Sequence, residues 1–339
     1  MLLPTAFLIG GFMLCDARFY RKDALMLLMI FLTIYLYRKH ITTSTRHTIT
    51  LLWLYIIGTI TILTHEASFF CFVPFFLLHY CTSCKGATFT RLAKSTLFNL
   101  PFIITMALVC IFKGNMDVCQ GIWHSWQPYF LTQYDTMPAL GDGVRALSWN
   151  TTDTFIMHAK ANFFNPIIWD RSMPLSISPA IPNVLVWVII WAGVYYLCVN
   201  VNKVKMFAYE TGEYDNHIKR VLPQLLLIQF IALLPMFTIL SCDMRRVIFY
   251  WIFSTFFILS QLIPLRPQLS IPIITHIGYY LHNFFTNKRL FRSKLFYIVT
   301  LLIIGIPFGA ITATSYIDST IIFRINYLIR YFLPSIIGG

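Results

Sequence analysis

Thr48-Ile-Thr-Leu-Leu-Trp-Leu-Tyr-Ile-Ile-Gly-Thr-Ile-Thr-Ile-Leu63 is followed, after Thr64-His65-Glu66-Ala67-Ser68, by Phe69-Phe-Cys-Phe-Val-Pro-Phe-Phe-Leu-Leu-His-Tyr80. Two apolar runs meet at a His-Glu pair with no Gly, Asn, Asp or Pro at the junction. A tight turn in water normally carries such residues. As a helix the first run is about 24 Å long and apolar on every face. That is the pattern of a membrane hairpin.

The rest of the chain repeats it. Apolar spans fall near 24–37, 48–64, 66–81, 97–113, 183–200, 222–240, 247–263 and 295–313. A bilayer core needs about 20 helical residues, and several of these runs approach that length. Residues 2–15, 271–286 and 321–338 are weaker runs, the last interrupted by Arg324 and Arg330 as in an interfacial helix. Of the 339 residues 58% are apolar and 12% charged, about half the charge a soluble surface carries. Mean hydropathy is +0.69. A soluble globule, a disordered chain and a collagen-like fibre are excluded. The expectation is an all-α polytopic membrane protein of about 8–10 transmembrane helices, one membrane domain over 1–339.

The net charge of +13 lies mainly in loops between the runs, which is the positive-inside signature and not a nucleic-acid footprint. Arg38, Lys39 and Arg46 share one acid-free loop; Lys85, Arg91 and Lys94 share another. Both read as cytoplasmic. Segment 114–182 carries five Asp against Arg145, Lys160 and Arg171, and reads as a long extracytoplasmic loop. Four basic residues at 287–294 would face outward if 271–286 crossed, so that run reads as re-entrant or in-plane. Arg21-Lys22-Asp23, His65-Glu66 and Asp243-Met-Arg-Arg246 then all reach the outer face.

These three groups are the candidate site. Glu66 is the one glutamate outside 201–221. Either solvent satisfies it as a helix-end carboxylate, or it acts as a general base or hydroxyl ligand in an outward cavity. Arg245 and Arg246 beside Asp243 leave net positive charge, either as an anchoring loop or as a grip on phosphate. Arg21 and Lys22 offer headgroup anchoring or phosphate binding. The 114–182 loop gathers Trp123, Trp126, Trp149, Trp169, Tyr129, Tyr134, Phe130, Phe163 and Phe164 with Asp135, Asp142, Arg145, His124 and His158. Such a mixture suits a sugar site or an interfacial belt equally. Asn150-Thr-Thr fits a glycosylation acceptor, a pattern too common to weigh alone. The eight cysteines sit mostly in apolar runs, and Cys81-Thr-Ser-Cys84 lacks the second pair a zinc site needs. P-loop, GxGxxG, His-Glu-x-x-His and Gly-x-Ser-x-Gly motifs are absent.

An Arg-Lys-acid motif before an early span, a His-Glu pair opening a later one and an Asp-x-x-Arg group after a late one resemble the integral-membrane polymerases of bacterial O-antigen and capsule loci. Those proteins often read Asp-x-Gly-Arg where this chain has Asp243-Met244-Arg245-Arg246, and they usually carry more spans before the first motif, as if this chain were shortened at its start. The resemblance implies a glycosyltransferase of the bacterial inner membrane, transferring a polyprenyl-pyrophosphate-linked glycan to another lipid-linked repeat unit, with a chain-length regulator as a possible partner. It implies Glu66, His65 and Asp243 as catalytic candidates. Arg21, Lys22, Arg245, Arg246 and Arg145 would be the substrate contacts. No Asp-x-Asp pair is present, so no metal and no cofactor is expected. The alternatives are another glycosyltransferase using a lipid-phosphate sugar, a lipid-linked glycan flippase and an acyltransferase.

Overall fold

The computed structural model describes residues 22–42, 47–129, 145–164, 183–200, 212–241, 244–262 and 272–305. Those residues form an all-α bundle. In chain order the helices are α1 (Lys22–Thr42), α2 (His47–Thr64), α3 (Ala67–Ser83), α4 (Thr88–Ile111), α5 (Met116–Trp126), α6 (Thr151–Ala159), α7 (Asn183–Val199), α8 (Gly212–Ala232), α9 (Met244–Leu262), α10 (Pro272–Asn287), α11 (Arg289–Arg292) and α12 (Lys294–Gly305). Single π-helical turns extend α6 over Lys160–Phe164 and follow α8 over Met236–Leu240. Among the described residues two helices, Leu25–Thr42 and Thr88–Ile111, are long and apolar enough to cross a membrane. Shorter apolar helices include Thr48–Thr64, Ala67–Ser83 and Arg246–Gln261.

Several boundaries differ from the sequence expectation. Helix α4 begins at Thr88 and not near 97, so Arg91 and Lys94 lie in its first two turns and not in a loop. Similarly, Arg38 and Lys39 close α1. Apolar periodicity marks where a helix is wrapped in nonpolar surroundings; the hydrogen-bonded backbone continues past that point. The run expected at 271–286 is described from 272 on, where one unbroken helix, α10, spans Pro272–Asn287. The runs at 2–15 and 321–338 lie outside the described residues.

Buried polar bonds set the register of the bundle. Thr33 Oγ1 lies 3.2 Å from Thr61 Oγ1, pairing α1 with α2. Tyr55 donates to the Phe98 carbonyl at 3.0 Å, and Gly58 faces the Phe102 ring, so α2 and α4 run side by side. Ser95 Oγ donates to the Leu77 carbonyl at 2.5 Å, which ties α4 to α3. Fully buried Gln229 is the central link: its Nε2 donates to the Cys71 carbonyl and to Ser254 Oγ, both at 2.8 Å, joining α3, α8 and α9. A helix carbonyl or hydroxyl in such a position needs a partner, because an unmet one costs about 1–3 kcal/mol.

Two ends follow from these pairings. The corner at His65 and Glu66 marks the first. At the second, Arg38 Nη1 donates to Gln261 Oε1 at 3.2 Å, which aligns the C-terminal turns of α1 and α9. Tyr37 and His79 share a hydrogen bond of 2.8 Å nearby. The C-terminal turn of α10 also lies at this second end, where Asn200 donates to the Phe285 carbonyl at 3.4 Å. Neither the Tyr37–His79 pair nor the Arg38–Gln261 pair follows from the sequence expectation that polar groups gather at one end.

Helices α2 and α4 carry apolar rows on their outward sides. On α2 the buried side holds Thr50, Leu54, Thr61 and Ile62, while Ile49, Leu52, Trp53, Ile56, Ile60 and Leu63 face outward. On α4, Ser95, Phe98, Asn99, Phe102 and Thr105 are buried, and Leu97, Leu100, Ile104, Leu108 and Ile111 are exposed at helical spacing. Withdrawing one such side chain fully from water is worth roughly 1.5–3 kcal/mol. In water these faces would forgo most of that.

Candidate functional site

Helix α2 ends at Thr64 and α3 begins at Ala67, so two residues make the corner. Glu66 adopts a helical backbone conformation (φ −56°, ψ −31°). His65 N–H donates to the Thr61 carbonyl, and the His65 and Glu66 carbonyls accept from Ser68 and Phe69 N–H groups, at 3.0 to 3.2 Å. The corner is therefore built from helical geometry at both sides. That explains the missing turn residues. The imidazole of His65 is buried, while the Glu66 side chain is 54% exposed.

His65 Nδ1 sits 3.3 Å from the Ala67 N–H and 3.4 Å from Glu66 Oε2. One nitrogen cannot serve both at once. With a lone pair it accepts from Ala67; with a proton it donates to the carboxylate.

Across the bundle, His65 meets the Tyr250 ring edge-on, with centroids 6.1 Å apart. Tyr250 lies one helical turn beyond Arg246 in α9, on the same face. The first turn of α9, Met244-Arg245-Arg246, therefore starts at the His65 end. It contains no acid. Arginines in the first turn oppose the helix dipole, whose N-terminal end is already positive. Because α1 runs alongside α9, with Phe31 against Phe257 and Arg38 against Gln261, the start of α1 at Lys22-Asp23 lies at this end as well. Residues of all three sequence motifs thus belong to one end of the bundle. Arg21 and Asp243 lie outside the described residues, and for Lys22, Arg145 and Arg245 the description covers the backbone.

Of the segment between α4 and α7, α6 and its π-turn pack against the same end. The segment's described parts are short helices, not an extended linker: α5, α6 and turns at Gln127–Tyr129 and Arg145–Ser148. Asn115 caps α5 by accepting from Val118 N–H at 2.9 Å. Asn150 caps α6 by accepting from Thr152 and Asp153 N–H groups at 2.9 and 3.3 Å, a structural use for the residue of the glycosylation pattern. Among the aromatic residues, Trp123 is buried and Trp126 and Tyr129 are exposed. Phe130, Tyr134, Asp135, Asp142 and Trp169 lie outside the described residues.

Two residues of α6 and its π-turn hold the end of the helix that leads into α9, and sequence reasoning missed their role. Asn162, 2% exposed, donates through Nδ2 to the carbonyls of Thr238 and Ser241 at 2.9 and 2.8 Å. His158 Nδ1 lies 3.2 Å from the Ile239 carbonyl. These carbonyls close the helix that leads to residue 243, and helix ends leave such groups without intrahelical partners. Burial pushes the His158 imidazole below its ordinary range, opposed by its bond to Ile239. Among the described residues no three His, Cys, Asp or Glu side chains form a metal-ligating group. The chain matches no protein-family model, no curated protein and no solved structure.

Proposed function

We propose that this chain is a multi-pass protein of the bacterial cytoplasmic membrane and that it polymerises lipid-linked glycan repeat units at the outer face. The observation that carries this is the meeting of His65-Glu66 with the arginine-bearing start of α9 through the His65–Tyr250 contact. A carboxylate and a cation cluster at one end of an apolar-faced bundle suit a substrate that is at once lipid, pyrophosphate and sugar. The exposed apolar rows of α2 and α4 support the membrane placement, and the return of α10 to the end where α9 finishes supports a re-entrant segment.

In this proposal the acceptor hydroxyl oxygen attacks the anomeric carbon of the donor glycan. The bond from that carbon to the pyrophosphate oxygen breaks, and polyprenyl pyrophosphate departs. Glu66, or Asp243 in its place, takes the hydroxyl proton, while Arg245, Arg246, Arg21 and Lys22 offset the charge of the leaving group. The α5–α6 segment contributes sugar contacts, with Arg145 among them. Half-exposure of Glu66 leaves its carboxylate reachable from solvent, as a base for an incoming hydroxyl must be.

Purified protein in proteoliposomes, supplied with lipid-linked repeat units, tests this. A ladder of longer lipid-linked glycans with one polyprenyl pyrophosphate released per bond is expected. Transfer of units across the bilayer without joining them would assign a flippase instead.

A further inference from the structure

Helix α5 separates its side chains by chemistry. Cys119 and Trp123 are buried, and Asp117, Gln120, His124 and Ser125 are exposed on the opposite side. Between these faces runs a row at i, i+4 and i+8: Val118, Ile122 and Trp126. Val118 and Trp126 are each 47% exposed, and Tyr129 beyond them is 84% exposed. The row begins just after the outward-facing apolar row of α4, which ends in exposed Ile111 and Phe112. Lys113 Nζ donates to the Trp149 carbonyl and to Thr151 Oγ1, so this junction is tied to the start of α6.

We propose that Val118, Ile122, Trp126 and Tyr129 form an interfacial anchor whose partner is the lipid surface of the outer leaflet. The inference rests on the membrane placement above and adds a second contact with the bilayer, parallel to it. Continuity carries it: the α4 row faces acyl chains, and the α5 row starts where that row reaches the boundary. Its chemistry fits that depth, since indole and phenol rings enter the acyl region while their N–H and O–H groups stay with headgroups and water. The polar face of α5 then turns to the aqueous side, as in helices that lie in the interface. Such an anchor would hold the outer segment level while α6 reaches the α8–α9 corner through His158 and Asn162.

The test uses the full chain in phosphatidylethanolamine–phosphatidylglycerol vesicles containing acyl-brominated lipid, compared with Trp126→Phe and Trp53→Phe variants. Trp53 belongs to the exposed α2 row and reports on the membrane placement itself. The expected result is that each variant loses a share of lipid-quenchable emission, and that the Trp126 share resists aqueous iodide. Quenching of the Trp126 share by iodide and not by lipid, with the Trp53 share lipid-quenched, would overturn the anchor and leave the membrane placement standing. Absence of lipid quenching at both positions would overturn both. Protection of Trp126 from iodide only on addition of oligosaccharide would give the row to sugar and also overturn the anchor.

Discussion

The imidazole of His65 and the ring of Tyr250 meet at 78°, edge to face, although they lie far apart in the chain. This contact brings the two-residue corner between α2 and α3 beside the first two turns of α9.

Arg246 is half-buried in the first turn of α9. Lys in its place keeps the charge and loses the planar fork that matches two phosphate oxygens. Arg246→Lys is expected to lower kcat/KM for the lipid-linked donor by about tenfold or more, a loss of ~1.4 kcal/mol in transition-state binding. Circular dichroism of the purified variant should match the parent. Unchanged donor kinetics would remove this residue from the pyrophosphate site.

Asn162→Leu keeps the approximate size of the side chain and removes both donors from the Thr238 and Ser241 carbonyls. Leaving two carbonyls unmet is expected to cost about 2 kcal/mol. Thermal unfolding in detergent should show the lower Tm, and glycan joining should fall because the α8–α9 corner loses its tether. A change at an exposed position outside that segment, such as Lys288→Ala, should alter neither.

His158 makes stability depend on pH. Burial holds its folded-state protonation below the ordinary value near 6.5, so the unfolded chain binds the proton more readily. The contribution is complete above that ordinary value and is lost as pH falls through it toward the folded value. Melting curves between pH 7.5 and 5 should show a decline that His158→Gln flattens. An identical decline in the variant would assign the acid sensitivity elsewhere.

Gly58 lies against the Phe102 ring so closely that any Cβ there would overlap it. Phe102 is fully buried and has no room to retreat. Gly58→Val is expected to cost about 1–3 kcal/mol by overpacking. Phe102→Leu in the same chain should restore part of the loss, which a melting comparison of single and double variants would show.

Much of this was legible in the sequence, for identifiable reasons. The apolar runs on both sides of His65-Glu66 announced a helix–corner–helix unit, because nothing between them could form a water-exposed turn. The extra turns of α4 were not legible, since Arg91 and Lys94 look like loop residues until the backbone is traced through them. The hold of Asn162 and His158 on the α8 terminus was invisible for another reason. Its acceptors are main-chain carbonyls, which every sequence supplies, so no residue pattern marks them. Gln229 likewise reads as one polar residue in an apolar run until Cys71 and Ser254 are brought to it.

The central claim is that Glu66 is the base of a glycan-joining site shared with the arginines of α9. Gln keeps the size and hydrogen-bonding capacity of the side chain but takes no proton, and loss of a general base typically costs 10²–10⁴-fold in rate. The decisive measurement is the length distribution of surface polysaccharide in a host strain whose own copy of the gene is deleted and replaced by Glu66→Gln. The account predicts single repeat units only, with the variant present in the membrane at the parent's level. Long chains from that strain would contradict it.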